Sequence, residues 1–284
     1  MLGTALVPAL ERAGHRVLAL ARADADVTDI AALRRHTRAF RPEWVFHLAA
    51  FTRVDDCERE PERAWRVNAL GARNAAQAAA EAGAGVLAIS TDYVFGGDAR
   101  APYDEYAPTA PRSVYGASKR GGEEAVRAAN PRHAIVRTAW LFGAGGANFI
   151  DTVLARARAG EPLRVVDDQT GSPTWTADLA VGLVQLATAG AVGTYHCTAA
   201  GACTWHGLAA ELLAHQGLDA SLEPIDSATL GRPAPRPAYS VLSCDRFEKA
   251  TGHAMPEWKD AVHRYLALRA APEPARAAVG AVEG

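Results

Sequence analysis

Apolar positions along this chain recur with two periods, and the elements they predict alternate. Leu2, Ala5, Leu6, Ala9, Leu10 and Ala13 share one helical face, and Gly14 is placed to end that helix, with Pro8 expected to bend it. Val17–Ala21 is a short continuous apolar run that reads as a buried strand, and Trp44–Leu48 reads as another that continues through Ala49 and Ala50 into a loop. Pro61 opens a long helix that Gly83 closes. Gly85–Ile89 is a third strand, Ser113 caps a helix running toward Ala129, and Ala134–Thr138 is a fourth strand. A helix from Asn148-Phe149 to Ala159, another over Ala177–Leu186, and a strand at Gly193–Cys197 follow. Beyond Thr204 the pattern predicts a helix to His215, irregular chain through the proline-rich Arg232–Pro237, two short helices and a disordered Ala/Pro/Gly-rich tail. Strands alternating with helices place the chain in the α/β class.

The stretch with the most chemistry runs from Ser90 to Lys119. Thr91 falls just past the carboxyl end of a predicted strand. Tyr115 and Lys119, four apart on the next helix, project from one face. A hydroxyl facing such a pair is a proton-delivery arrangement: the ammonium is expected to lower the tyrosine pKa, and the hydroxyl to bond the reacting oxygen. A tyrosine packed at a helix edge beside a solvated lysine is the plainer reading, and the preceding Ser90-Thr91-Asp92 at a strand end favours chemistry.

Composition narrows the class. The 284 residues are 49% hydrophobic and 22% charged, with a formal net charge of −2, ordinary for a globular protein able to bury a large core. No basic run suggests nucleic acid, and no apolar run reaches the ~18 residues of a membrane span. The four cysteines (Cys57, Cys197, Cys203, Cys244) form no Cys-x-x-Cys and no metal-ligand cluster with histidine, so reduced thiols in a cytoplasmic protein are expected. The amino terminus reads as amphipathic helix, not as a signal peptide.

Ser90-Thr91-Asp92-Tyr93-Val94-Phe95, Pro102-Tyr103-x-Glu105 and Val114-Tyr115-Gly116-x-Ser118-Lys119 resemble the extended short-chain dehydrogenase/reductases, and within them the dTDP-4-dehydrorhamnose reductase family. The likeness runs from Leu2 to about Leu268, with the motifs in the family's order. It implies a Rossmann-type doubly wound parallel sheet with a smaller C-terminal substrate-binding lobe. Residues 1–147 and 176–198 would form the cofactor domain, residues 148–175 and 199–270 the lobe, and residues 271–284 a disordered tail. It also implies NADPH-dependent reduction of the C4 ketone of a nucleotide-linked 4-keto-6-deoxy sugar, with Thr91, Tyr115 and Lys119 catalytic. Sister sugar 4,6-dehydratases place Glu directly after Thr-Asp; Tyr93 stands there in this chain, which disfavours an elimination.

For the cofactor, the resemblance implicates Gly3, Arg22, Asp26, Ala49, Ala50 and Asn68 beside Tyr115 and Lys119. Where the family commonly carries an acidic residue for the adenosine 2′-hydroxyl, this chain has Ala21-Arg22, which suits the 2′-phosphate of NADPH, with NADH the alternative. A buried Asn68 satisfying backbone, a surface Arg22 and a capping Asp26 are the structural alternatives. For the sugar nucleotide it implicates Thr91, Trp140, Asn148 and Arg236, against a core role for Trp140 and a loop-holding salt bridge for Arg236. Asp55 and Glu58, in a family-like Thr-x-Val-Asp-x-x-Glu, read as structural caps. A homodimer is compatible with the family, and no metal ligand set can be assigned.

One departure concerns the amino terminus. The doubly wound fold opens on a strand and a glycine-rich turn, and of the family's Gly-x-x-Gly-x-x-Gly only Gly3 stands here. An internal methionine as the start is the expectation, and with it weak cofactor binding by the 284-residue chain. The competing reading is a non-catalytic NAD(P)-binding subunit resembling the regulatory subunit of methionine adenosyltransferase. The intact Thr91, Tyr115 and Lys119 argue against it.

Overall fold

The fold is described from a computed structural model over residues 1–270. Helices α1 (Leu2–Arg12) and α2 (Ile30–Phe40) precede strand β1 (Trp44–His47). Short helices α3 (Val54–Arg59) and α4 (Pro61–Trp65) follow, and a π-helical turn (Arg66–Leu70) joins α4 to α5 (Gly71–Glu81). The helix expected from Pro61 to Gly83 is therefore present, but widened in its middle by a π turn, a feature frequent at functional sites. Strand β2 (Gly85–Thr91) runs into a 3₁₀ turn (Asp92–Val94); α6 (Val114–Ala129), β3 (His133–Thr138) and β4 (Leu141–Phe142) come next. Helix α7 (Phe149–Arg158), β5 (Leu163–Val166), β6 (Thr170–Gly171), β7 (Thr174–Trp175), α8 (Thr176–Thr188), β8 (Gly193–His196) and β9 (Cys203–Thr204) lead to α9 (Trp205–Gln216). The chain ends with β10 (Leu222–Ile225), α10 (Ser227–Leu230), α11 (Asp245–Thr251) and α12 (Trp258–Ala270).

Strands β1, β2, β3 and β8 form one parallel sheet in that order, with Thr91 beside Thr138 at its carboxyl edge. Successive strand residues point to opposite faces, so the sheet is buried on both. Leu87 and Val136 meet Leu6, Leu10, Leu179, Leu183, Phe247 and Met255 on one side. Val86, Ala88 and Ile135 meet Ala72, Ala76, Ala79 and Val126 on the other, where alanines let α5 lie close. A separate core joins Ile150, Leu154, Leu163, Leu208, Leu212, Val262 and Tyr265, from α7, β5, α9 and α12.

Three expectations change. Val17–Ala21 is not a strand: it pairs with no neighbour, and Leu18 and Leu20 stay 43% and 39% exposed. A strand exists only as part of a ladder about 4.8 Å from its partner. Here a cleft of about 1010 Å³, lined by Leu6, Leu10, Val17–Leu20 and Trp44–Leu48, separates the run from β1. The stretch before Pro237 is less irregular than expected, because β10 pairs in parallel with β5. Its Glu223 and Pro224 hide the strand from any apolar pattern. The second of the two final helices has 13 residues and is not short. The tail expected to be disordered lies outside the described residues. Among the described residues, no helix is long and apolar enough to cross a membrane.

Helix α6 lies so close to its neighbours that a Cβ at Gly122 would run into the backbone carbonyl of Asn68. Gly122→Ala should therefore cost ~1–3 kcal/mol through overpacking. At Gly3 the nearest atom to an added Cβ is Leu48 Cδ1 at 3.8 Å, so Gly3→Ala should gain up to ~1 kcal/mol of helix propensity. Urea midpoints of the two variants, moving in opposite directions, check this account of the packing.

Candidate active site

The carboxyl end of β2 and the first turns of α6 build the centre. Two orphan N–H groups at the start of α6 are satisfied from outside the helix: Ser113 Oγ accepts from Gly116 N at 3.1 Å, and Glu58 Oε1, reaching across from α3, accepts from Val114 N at 2.8 Å. Glu58 is thus a cap, as its pattern suggested, but for a neighbouring helix. Asp55 is not a cap; it holds an arginine pair.

Thr91, Tyr115 and Lys119 are brought together and buried. Lys119 is 6% exposed, and its Nζ donates to Ile89 O at 2.7 Å. Burial pulls its pKa down to about 8, against a raising contribution from Glu123. The Tyr115 ring meets Tyr93 edge-on, with centroids 5.4 Å apart. The expected lowering of the tyrosine pKa is not what this geometry gives. Burial pushes the phenol up, and the Thr91 hydroxyl offsets only part of that, while Lys119, which gives a hydrogen to a backbone carbonyl, is not among the charges that lower it. A phenol protonated at neutral pH is the form that can donate.

Asp92, to which the sequence pattern gave no role of its own, is 2% exposed beside this centre. Thr91 Oγ1 donates to its Oδ1 at 3.0 Å; burial raises the carboxyl to about 6 against the lowering effect of the Ser240 and Thr91 hydroxyls. His47, at the carboxyl end of β1, is also buried, with Nε2 unpartnered; burial, then the charge of Lys119, holds it neutral, at about 3.

Five of the residues implicated in cofactor binding, Gly3, Arg22, Asp26, Ala49 and Ala50, line the cleft beside β1. Thr91, Tyr115 and Lys119 do not line it; Phe51 and Val67, which do, pack in one cluster with Tyr115. The Arg22 side chain is 79% exposed, but its turn folds carboxylates back toward it: Asp26 Oδ2 accepts from Nε at 3.2 Å, and Asp24 Oδ2 accepts from Ala21 N at 2.8 Å. Asp26 also accepts from Thr28 N and Oγ1, an Asx-type turn that holds its carboxyl below the usual range. Small side chains at Ala49 and Ala50 and a mobile-length arginine on the rim fit the adenosine half of a dinucleotide. Among the described residues there is no glycine-rich phosphate loop. Asn68 stands apart from the cleft. Its Oδ1 accepts from Phe51 N at 2.7 Å, and its Nδ2 donates to Phe51 O at 3.1 Å and Ser118 Oγ at 2.9 Å, so it pins the loop after β1 to α6.

The residues implicated for the sugar nucleotide divide. Trp140 leaves the end of β3 with φ +49°, uncommon for a bulky residue, and stacks on Trp205 with centroids 3.6 Å apart. Asn148 is occupied as the cap of α7: Oδ1 accepts from Asp151 N at 3.0 Å and Nδ2 donates to Gly143 O at 3.1 Å. Arg236 forms a fork on Asp55, with Nη1 to Oδ1 and Nη2 to Oδ2 both 3.0 Å, and Arg232 joins at 3.4 Å. Burial opposes ionisation of Asp55, but the fork and Ala234 N–H outweigh it and hold the carboxyl low. The loop-holding alternative thus describes Arg236 in this structure.

Comparison with known proteins fits this arrangement. The family described as RmlD substrate binding domain matches residues 1–270. A Streptomyces griseus protein named dTDP-4-dehydrorhamnose reductase is 46% identical over 269 residues, covering 92% of this chain and 88% of its own. The crystal structure of a dTDP-4-dehydrorhamnose reductase from Clostridium acetobutylicum superposes with a TM-score of 0.91 at 38% identity, covering 94% of this chain and 95% of that one. The Bacillus anthracis enzyme of that name, solved in complex with NADP, also gives 0.91, at 35% identity and the same coverage. With its parallel sheet, its buried Thr91–Tyr115–Lys119 centre and matches along almost the whole described length, the chain belongs to the dTDP-4-dehydrorhamnose reductase family of enzymes.

Proposed function

We propose that this protein reduces the C4 ketone of a nucleotide-linked 4-keto-6-deoxy sugar with NADPH, dTDP-4-dehydrorhamnose to dTDP-rhamnose being the reading its relatives favour. The observation that carries it is the burial of Thr91, Tyr115 and Lys119 at one strand end, a costly arrangement for a surface that only binds. The relative solved with NADP and the exposed Arg22 on the cleft rim support NADPH over NADH.

The cofactor supplies the hydride. The protein's part is to hold the carbonyl and deliver the proton. Tyr115 donates its phenolic proton to the C4 oxygen as negative charge develops there, and its raised pKa keeps that proton in place until then. Lys119 places a positive charge one helical turn away and has ammonium hydrogens beyond the one given to Ile89 O, free for a ribose hydroxyl. Thr91 has one hydroxyl proton to share between Asp92 and the substrate oxygen. Trp140, backed by Trp205, offers an aromatic wall beyond β3. Arg236 reaches a diphosphate only by leaving Asp55. The packing on the two faces of the parallel sheet and the separate core of α7, β5, α9 and α12 correspond in this reading to a cofactor half and a substrate half.

Tyr115→Phe removes one oxygen and should lower turnover by ~10²–10⁴-fold with NADPH affinity retained. Reduced-nicotinamide absorbance with dTDP-4-dehydrorhamnose reads it, and wild-type turnover in the variant would sink the assignment. If the unaltered protein consumes no NADPH with any nucleotide 4-keto sugar, a binding subunit is the better description. Fluorescence titration should show tighter binding of NADPH than NADH, a preference lost in Arg22→Ala; equal affinities in the unaltered protein remove Arg22 from the account. Asp92 gives a stability prediction. Its folded pKa of about 6 lies above the ordinary aspartate value of 3.8, so its contribution is present at low pH and lost as pH rises through 6. Asp92→Asn should match the parent near pH 4 and exceed it above pH 7 by up to roughly 3 kcal/mol in urea unfolding.

A further inference from the structure

Tyr115, Lys119 and Glu123 stand four residues apart on α6, and three consecutive residues of β2 engage them. Thr91 is buried beside the phenol, whose upward shift its hydroxyl opposes; Ile89 O accepts from Lys119 Nζ at 2.7 Å, and Ser90 Oγ donates to Glu123 Oε1 at 2.6 Å. Glu123 is a 3% exposed carboxylate with three further charged contacts. Arg137 of β3 clasps it with Nε to Oε1 and Nη2 to Oε2, both 2.8 Å, and Arg127 Nη2 reaches Oε2 at 3.1 Å. Arg137 is itself fixed: Nη1 lies 3.4 Å from His196 Nε2, and the guanidinium sits over the Phe95 ring at 5.0 Å. His196 Nδ1, 3.1 Å from Tyr103 O, carries the proton in the tautomer that leaves Nε2 free to accept from Arg137.

Lys119 has no carboxylate within ion-pair distance; its one hydrogen-bond partner among the described residues is a neutral carbonyl. An ammonium this buried needs an anion nearby to stay charged. The buried titratable groups on the elements around it are His47 on β1, Asp92 after β2, Arg137 on β3, Cys57 on α3, and Tyr115 and Glu123 on its own helix; the other charged residues of α3 to α6 (Asp55, Asp56, Glu58, Arg59, Glu62, Arg63, Arg66, Arg73, Glu81, Arg120, Glu124 and Arg127) are half-buried or exposed. Glu123 is the one whose charge opposes the effect of burial on Lys119. It can do so because the Arg137 fork and the Ser90 hydroxyl keep Glu123 ionised against its own burial.

We propose that Glu123, held by Arg137 and Ser90, is a positioning residue that seats α6 on β2 and keeps Lys119 an ammonium beside Tyr115. This rests on the reductase reading only for its effect on rate; the charge state of Lys119 is measurable without turnover. The chain has three lysines, Lys119, Lys249 and Lys259, so ε-¹³C-lysine labelling gives a spectrum in which the buried one titrates apart.

In Glu123→Gln the Lys119 pKa should fall by about one unit or more, the scale of a lost neighbouring opposite charge. The alkaline limb of kcat/KM for NADPH oxidation should move to lower pH by the same amount. Because Gln leaves Arg137 buried and uncompensated, that variant can unfold; the double variant Glu123→Leu/Arg137→Met removes both charges and keeps the volume, a replacement such pairs tolerate. The double variant should fold and still show Lys119 titrating lower. Ser90→Ala removes a tether but leaves the charge, and should leave the titration in place. A folded double variant whose Lys119 titrates as in the parent overturns the proposal and leaves Glu123 a structural ion pair. So does a Ser90→Ala shift as large as that of the charge variants. Absence of NADPH oxidation in the parent protein would defeat the reductase reading, while the lysine titration would still decide this one.

Discussion

Placing a lysine ammonium inside a protein is expensive, and much of this structure answers that expense. A drop in the Lys119 pKa from 10.5 to about 8 corresponds to roughly 3 kcal/mol of disfavoured charge. Helix α6 can carry that charge inward because its start is capped twice, its glycines allow close approach, and its next turn brings a carboxylate. That carboxylate would itself be costly to bury without Arg137, and Arg137 without Glu123, His196 and Phe95. The parallel sheet supplies the frame: Ser90 and Arg137 are register partners on adjacent strands, so both polar groups meet the helix at one level.

The same frame separates chemistry from the cleft. The large concavity lies on the open side of β1, whereas Thr91, Tyr115 and Lys119 lie at the carboxyl end of β2, one strand further into the sheet. His47 and the Ala49–Phe51 loop line the cleft, and Asn68, projecting from the π turn, ties that loop to Ser118 on α6. Asn68 is thus a strut between the loop beside the cleft and α6. Across the site, the fork of Arg236 on Asp55 joins the proline-rich loop to α3, and stacking on Trp205 fixes Trp140 in a backbone conformation few bulky residues adopt.

What was legible in the sequence follows from local rules. Apolar periodicity, caps and glycine stops place α1, α6, α7, α8, α9 and the four sheet strands to within a few residues, because these signals act over one or two helical turns. The i, i+4 spacing of Tyr115 and Lys119 already puts them on one face, and the same spacing continues to Glu123, a signal that was present and passed over. A charged Arg137 directly after the apolar run Ala134–Val136, within the same predicted strand, was a second such hint, since a buried arginine needs a partner. The tertiary structure alone decided the rest. Whether Val17–Ala21 becomes a strand depends on a neighbour to bond with, not on its own composition. Whether Arg236 stands free or forks onto Asp55, 181 positions earlier, whether Asn148 meets a ligand or caps α7, and whether lysine or burial governs the Tyr115 phenol depend on which groups lie within a few ångströms. Sequence spacing sets such distances within one element; between elements only the packed fold does, because hydrogen bonds and desolvation act over those few ångströms and not along the chain.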